Sequence, residues 1–151
     1  MKSQPVLSNL ILAYAKEMET VQNYIAASVN LDGVRSEVVK KSLAADALAE
    51  LGHAQLLANR IKTLEGIVPG SMELPRSQKS LQPPKKTTDI VAIIKGVIEA
   101  EEDAIALYKK IIKLSDKGED YVTQDMAIKL LGDEEQHRRE FLGFLKEYEG
   151  K

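Results

Sequence analysis

The sequence contains two histidines, and each stands three residues after a glutamate: Glu50–His53 and Glu134–His137. Each pair has a further glutamate 33 residues upstream, Glu17 for the first and Glu101 for the second. A constant shift of 84 residues carries Glu17, Tyr24, Glu50 and His53 onto Glu101, Tyr108, Glu134 and His137. In a helix, positions i and i+3 project from one face. Any fold for this chain must therefore find partners for four carboxylates and two imidazoles laid out in a doubled pattern. An interval of 33 residues suits two long helices joined by a short turn, because it brings mid-helix positions level across the hairpin.

Hydrophobic periodicity supplies those helices. Leu7, Leu10, Ile11, Tyr14, Glu17, Met18, Val21, Tyr24, Ile25 and Ser28 recur at steps of three and four, and Glu17 lies inside the stripe. Ser3 with Pro5 suits the start of this helix, and Asp32-Gly33 ends it. A second stripe runs through Val39, Leu43, Asp46, Glu50, His53, Leu57, Ile61 and Leu64, with Gly66 as its stop. Residues 66–86 carry Pro69, Pro75, Pro83 and Pro84 without a helical period and read as a long connection. Thr87-Thr88-Asp89 caps a third helix, which bears Ile90, Ile94, Val97, Glu101, Ala104, Tyr108 and Ile111 on one face and ends over Ser115–Gly118. Gly96 interrupts it, at about 1 kcal/mol relative to alanine. A fourth stripe holds Ala127, Leu130, Leu131, Glu134, His137, Phe141, Phe144, Leu145 and Tyr148. Two short turns and one long middle connection predict an all-α four-helix bundle over residues 1–151, a single domain with one crossover between helices 2 and 3.

Six ionisable groups then face the core. Left unpaired, each would cost several kcal/mol, and no lysine or arginine occupies the adjacent stripe positions. Two divalent cations would balance four carboxylates, with neutral imidazoles completing the coordination. One glutamate from each of two helices and a Glu-x-x-His from each of the other two is a known arrangement for such a dinuclear site. A zinc-protease frame is excluded, because no histidine precedes either glutamate in an H-E-x-x-H pattern. The chain has no cysteine, so disulfides, thiolate zinc sites and iron–sulfur clusters are excluded too. Oxygen and imidazole ligands favour iron or manganese over soft-ligand metals.

Neighbouring residues carry two readings each. Tyr24 and Tyr108 either hydrogen-bond a metal-bound carboxylate or donate an electron, or they simply pack. Asp133 and Glu135 flank a ligand and either orient an imidazole or face solvent. Met18 and Met126 read as core filler. A net charge of −2 and scattered basic doublets argue against nucleic-acid binding. The stretch Val6–Ala15 is too short and too polar to span a bilayer or to serve as a secretory core. No membrane partner is expected, and a cytoplasmic location follows by default.

The chain resembles the bacterioferritins and, more broadly, the ferritin-like di-iron proteins. The resemblance is strongest in Lys16-Glu17-Met18 through Tyr24, in Glu50-Leu51-Gly52-His53, and from Asp120-Tyr121-Val122 through Asp133-Glu134-Glu135-Gln136-His137. It implies a ferritin-like fold and a ferroxidase centre of two iron ions per subunit. Glu17 and His53 would be terminal ligands of one iron, Glu101 and His137 of the other, and Glu50 and Glu134 would bridge them. Tyr24 matches the family's tyrosine beside the centre. Bacterioferritins bind haem through a methionine directly after the first bridging glutamate. Leu51 stands there, so haem is not expected. The chain stops at Lys151, soon after the fourth helix. That implies a homo-oligomer of two or twelve subunits, as in the bacterioferritin-like Dps proteins, rather than a twenty-four-subunit cage. Those Dps proteins usually carry a cysteine pair that is absent here. Ala104 replaces the extra glutamate of rubrerythrins, and manganese catalases are generally longer. Three functions remain open: Fe(II) oxidation by O2 or peroxide for iron storage or detoxification; a dimeric peroxidase or oxidase on a di-iron or di-manganese site; and a structural bundle with vestigial ligands.

Overall fold

Each predicted stripe forms a long helix in the computed structural model, which describes residues 4–150. They are α1 (Gln4–Asn30), α2 (Glu37–Thr63), α3 (Ile90–Lys117) and α4 (Tyr121–Tyr148), with no strand among the described residues. The expected start signal at Ser3 lies outside the described residues. Among the described residues, no helix is long and apolar enough to cross a membrane.

The contacts fix the topology. Short turns pack α1 along α2 and α3 along α4. Tyr108 reaches Glu17, and Tyr24 reaches Glu101, so partners on α3 descend as residues on α1 ascend. His53 pairs with Asp133, and His137 lies against Asp46, which makes α2 and α4 antiparallel in the same way. It follows that α2 and α3 are parallel and that their connection must travel the length of the bundle.

Two apolar clusters fill the interior. One gathers Tyr24, Leu31, Leu43, Ile94 and Phe141; the other gathers Leu10, Leu57, Ile61, Tyr108, Ile111 and Leu130. Between them lies the belt of Glu17, Glu50, His53, Glu101 and Glu134, all buried. Ile25, assigned to the inward stripe from its period, instead faces outward and is 51% exposed. The inward arc of α1 follows Leu10, Ala13, Glu17, Thr20, Tyr24 and Ala27, and Ile25 falls outside it.

The helix ends differ in detail from expectation. After α2, Glu65 takes the left-handed conformation with φ 64°, and the Gly66 N–H closes the turn onto the Ile61 carbonyl at 2.9 Å. Gly66 is thus not the left-handed stop. Its role is space, because a Cβ there would lie 2.6 Å from Leu7 Cδ1. After α3, Glu119 repeats the device with φ 57°, and Asp120 N–H bonds the Ser115 carbonyl at 2.8 Å. Asp89 and Asp120 are the N-caps of α3 and α4, accepting from Ala92 N and Thr123 N.

The crossover runs over residues 64–89, slightly longer than its proline content suggested, with one 3-10 turn at Ser71–Glu73. It is clamped on both sides. The buried Glu19 carboxylate on α1 accepts from the backbone N–H groups of Ser77 and Gln78, at 2.9 and 3.0 Å. Leu81 is buried in the first apolar cluster. On α3, Gly96 lets the strap come close: a Cβ there would sit 2.6 Å from the Ser80 carbonyl oxygen and 3.3 Å from Leu81 Cα. Both are backbone atoms, so neither can yield cheaply.

Helix propensity alone would have Gly96→Ala stabilise the protein by about 1 kcal/mol. The close approach reverses the sign, and the expected result is destabilisation of about 1–3 kcal/mol. A urea-unfolding midpoint below that of the parent protein is the confirming outcome.

Candidate metal centre

The four helices deliver their ionisable residues to one level. Both imidazoles turn Nδ1 inward. His53 Nδ1 lies 2.8 Å from Glu134 Oε1, 3.5 Å from Glu50 Oε2 and 3.6 Å from Glu17 Oε2. His137 Nδ1 lies 3.0 Å from Glu50 Oε1, 3.7 Å from Glu101 Oε1 and 3.8 Å from Glu134 Oε2. The rings are nearly parallel, with centroids 6.5 Å apart.

These contacts resolve into two overlapping sets. Glu17, Glu50, His53 and Glu134 form one; Glu50, Glu101, Glu134 and His137 form the other. Within each set one ligand atom per residue falls within 4.8 Å of all the others. Glu50 and Glu134 belong to both sets. All six residues singled out by the sequence pattern are therefore brought together, each from its expected helix.

Their donor atoms are short of partners. Glu17 Oε2, His53 Nδ1, Glu101 Oε2 and Glu134 Oε1 are buried without a hydrogen bond. The 2.8 Å approach of His53 Nδ1 to Glu134 Oε1 is close enough for ion pairing but lacks hydrogen-bond geometry. Buried polar atoms are ordinarily satisfied. Orphaned lone pairs that converge from four helices fit two divalent cations, with oxygen and imidazole donors suited to iron or manganese.

Outside this ring stands a second layer. His53 Nε2 meets Asp133 Oδ2 at 3.0 Å, and His137 Nε2 meets Asp46 Oδ1 at 3.5 Å. Carboxylates on the outer nitrogen fix the imidazole's orientation and leave Nδ1 free for a metal. Of the two flanking acids, Asp133 takes this part, while Glu135 is exposed and lines an outer groove with Lys109 and Arg138. Asp46 is the residue that sequence reasoning left without a role. Its signal was present: a buried-stripe acid one turn before Glu50.

The tyrosines cross over. The Tyr108 hydroxyl donates to Glu17 Oε1 at 2.8 Å, and the Tyr24 hydroxyl donates to Glu101 Oε1. Each therefore steadies the glutamate of the opposite helix, not the one seven residues before it. Burial first, and the nearby carboxylates second, hold both phenols well above their ordinary pKa, so they remain neutral donors.

Without a metal, protons compensate the negative charge. Burial pulls His53 down, but the negative charge of Glu134 and Glu50 against its Nδ1 outweighs it and holds the imidazole at about 10. His137 is raised in the same way by Glu101, Glu134 and Glu50. Burial, with Glu134 beside it, pushes the Glu101 carboxyl up to about 8. Burial likewise lifts Asp46 to about 6, partly offset by His137.

A model of the ferritin-like domain matches residues 9–150 of the chain. The chain is 29% identical to a bacterioferritin of Brucella melitensis over 138 residues, 91% of this chain and 81% of that relative. A ferritin-like diiron-carboxylate protein from Bacillus anthracis superposes with a TM-score of 0.85 at 21% identity, over 96% of this chain and 98% of that one. The bacterioferritin-related protein of Bacteroides fragilis, described as a dodecameric thioferritin, gives the same TM-score at 26% identity, over 96% of this chain and 86% of its own.

The protonation pattern sets the pH dependence of the metal-free protein. His53, ordinarily at 6.5, is raised when folded, so its contribution is complete below 6.5 and is lost as pH rises through about 10. Glu101, ordinarily at 4.5, is also raised, and its preference for the protonated folded form is lost between 4.5 and about 8. The chelator-treated protein is therefore expected to lose stability between about pH 5 and pH 10. Saturating Zn(II) displaces the same protons and should flatten or reverse that slope. Urea midpoints across the range, with and without Zn(II), check this; a metal-free midpoint that rises with pH would contradict it.

Proposed function

We propose that this chain, which belongs to the ferritin-like domain family, oxidises Fe(II) to Fe(III) with O2 or H2O2, for iron storage or detoxification. The observation that carries this reading is the sharing of Glu50 and Glu134 between the two four-residue sets. In it, Glu17 and His53 hold one Fe(II), Glu101 and His137 hold the other, and Glu50 and Glu134 bridge the pair. Two Fe(II) ions supply two electrons. With two protons these reduce O2 to H2O2, or H2O2 to two molecules of water.

The protein's part is positioning and charge. Four carboxylates balance two Fe(II) ions and favour the more highly charged Fe(III) product further. Protons held on His53, His137 and Glu101 leave as the cations arrive. Asp133 and Asp46 keep each Nδ1 aimed inward, and the Tyr24 and Tyr108 hydroxyls keep Glu101 and Glu17 from turning away. Tyr24 lies close enough to the centre, through Glu101, to be a residue of the oxidation step. Haem has no part in this scheme, because Leu51 offers no sulfur ligand at the position that follows Glu50.

The proposed assembly is a cytoplasmic homo-oligomer, a dimer or a twelve-subunit shell. The Bacteroides fragilis protein described as dodecameric supports the larger form. A mass of hundreds of kilodaltons would accord with storage, and a small dimer with a peroxidase or oxidase role for the same centre.

Anaerobic Fe(II) titration followed by O2 tests the reading. Binding should saturate at two Fe(II) per chain, and ferric absorbance should then grow. Saturation far from two, or no ferric signal, would overturn it. Glu50→Ala or Glu134→Ala takes a ligand from both metals and should abolish rapid oxidation. Asp133→Asn should weaken metal binding by about 10-fold while leaving the stoichiometry at two.

A further inference from the structure

The crossover between α2 and α3 lies over the groove between α1 and α3, and one of its side chains, Gln78, lines a cavity that the four buried glutamates also line. A small cavity of about 10 Å³ reaches inward at this place. Its inner wall is formed by the four glutamate ligands, and its outer wall includes Lys16, Thr20, Gln78 and Asp103. The Gln78 amide bridges two buried residues of α1. Its Nε2 donates to Thr20 Oγ1 at 2.5 Å, and its Oε1 accepts from Asn23 Nδ2 at 3.0 Å. The backbone beneath it cannot drift, because Glu19 holds the Ser77 and Gln78 N–H groups and Gly96 seats Ser80 against α3.

A cavity of this size has room for about one water molecule. A hydrated divalent cation carries several. It can pass only if the outer wall opens or the ion sheds most of its shell. Swinging the Gln78 side chain away breaks two side-chain hydrogen bonds and moves no backbone, which is a rotamer change on the fast scale of side-chain motion. On the opposite side, between α2 and α4, the imidazole rings themselves stand in the way, each tied to an aspartate.

We propose that Gln78 is the gate by which a divalent cation is admitted to the paired metal site, with the exposed Asp103 as the first carboxylate it meets. This rests on the two-metal reading above. Gln78 is a positioning residue: it controls passage and is not a ligand in the loaded centre.

Stopped-flow binding of Co(II), which needs no oxidant, separates the gate from the centre. The metal-free wild-type protein, Gln78→Ala and Ala104→Phe are mixed with Co(II), and the visible absorbance of bound cobalt is followed. Ala104 lines the same cavity, so the larger ring plugs it. Gln78→Ala should raise the binding rate by at least about fivefold, the low end of what two hydrogen bonds no longer to be broken are worth. Ala104→Phe should lower the rate, and all three proteins should still take two cobalt ions per chain. If Gln78→Ala does not fold, Thr20→Val removes the acceptor of the Gln78 amide and should accelerate binding likewise. Two ions per chain with rates within about twofold of wild type in both variants would overturn the gate and leave the centre standing. Wild-type protein that binds far fewer than two would overturn the centre, and the gate with it.

Discussion

Everything in this molecule answers to the burial of Glu17, Glu50, Glu101 and Glu134 at the middle of a helical bundle. Carboxylates in such surroundings are tolerated only with compensating positive charge. Two histidines are present, and when they are protonated they meet part of the need; Glu101 meets more by holding its own proton near neutral pH. Protons are a poor match for the geometry, since several donor atoms still lack partners. Two cations would satisfy those atoms together. The apolar clusters above and below the belt offer those atoms no polar partner, and the small cavity beside it has room for about one water molecule.

This requirement explains features that look unrelated. The helices must be long, so that the six ionisable side chains come level at mid-length with enough apolar surface on either side. Asp133 by a hydrogen bond, Asp46 by its charge at 3.5 Å, and the two phenols by hydrogen bonds hold His53, His137, Glu101 and Glu17 in place. The crossover must run the length of the bundle because α2 and α3 are parallel, and the clamp from Glu19 and Gly96 turns that obligatory connection into a cover for the centre.

The convergence of these six side chains was legible in the sequence because a helix places i and i+3 on one face, and because the 84-residue shift repeats the whole set. The same shift misleads one layer further out. His53 is oriented by Asp133, one residue before Glu134, whereas His137 is oriented by Asp46, four residues before Glu50. The symmetry-related positions hold Ala49 and Leu130, so no repeat could announce these partners. The tyrosines show a similar limit. Their spacing placed them near the site, but the crossing of each phenol to the opposite helix depends on how α1 and α3 are staggered. Gly96 read as a local flaw in a helix, and its purpose emerges only where Ser80 passes over it. Glu65 adopts left-handed backbone without glycine's signature, which is why the stop after α2 reads as Gly66, while the end of α3 falls within the expected Ser115–Gly118.

The proposed centre has six side chains holding two cations between them, with Glu50 and Glu134 common to both. Anomalous diffraction from crystals soaked anaerobically in Fe(II) tests it most directly. Two peaks per chain are expected, about 3.5–4 Å apart, each flanked by Glu50 and Glu134, with His53 Nδ1 on one and His137 Nδ1 on the other. A single peak, or peaks that leave Glu50 and Glu134 unligated, would contradict it.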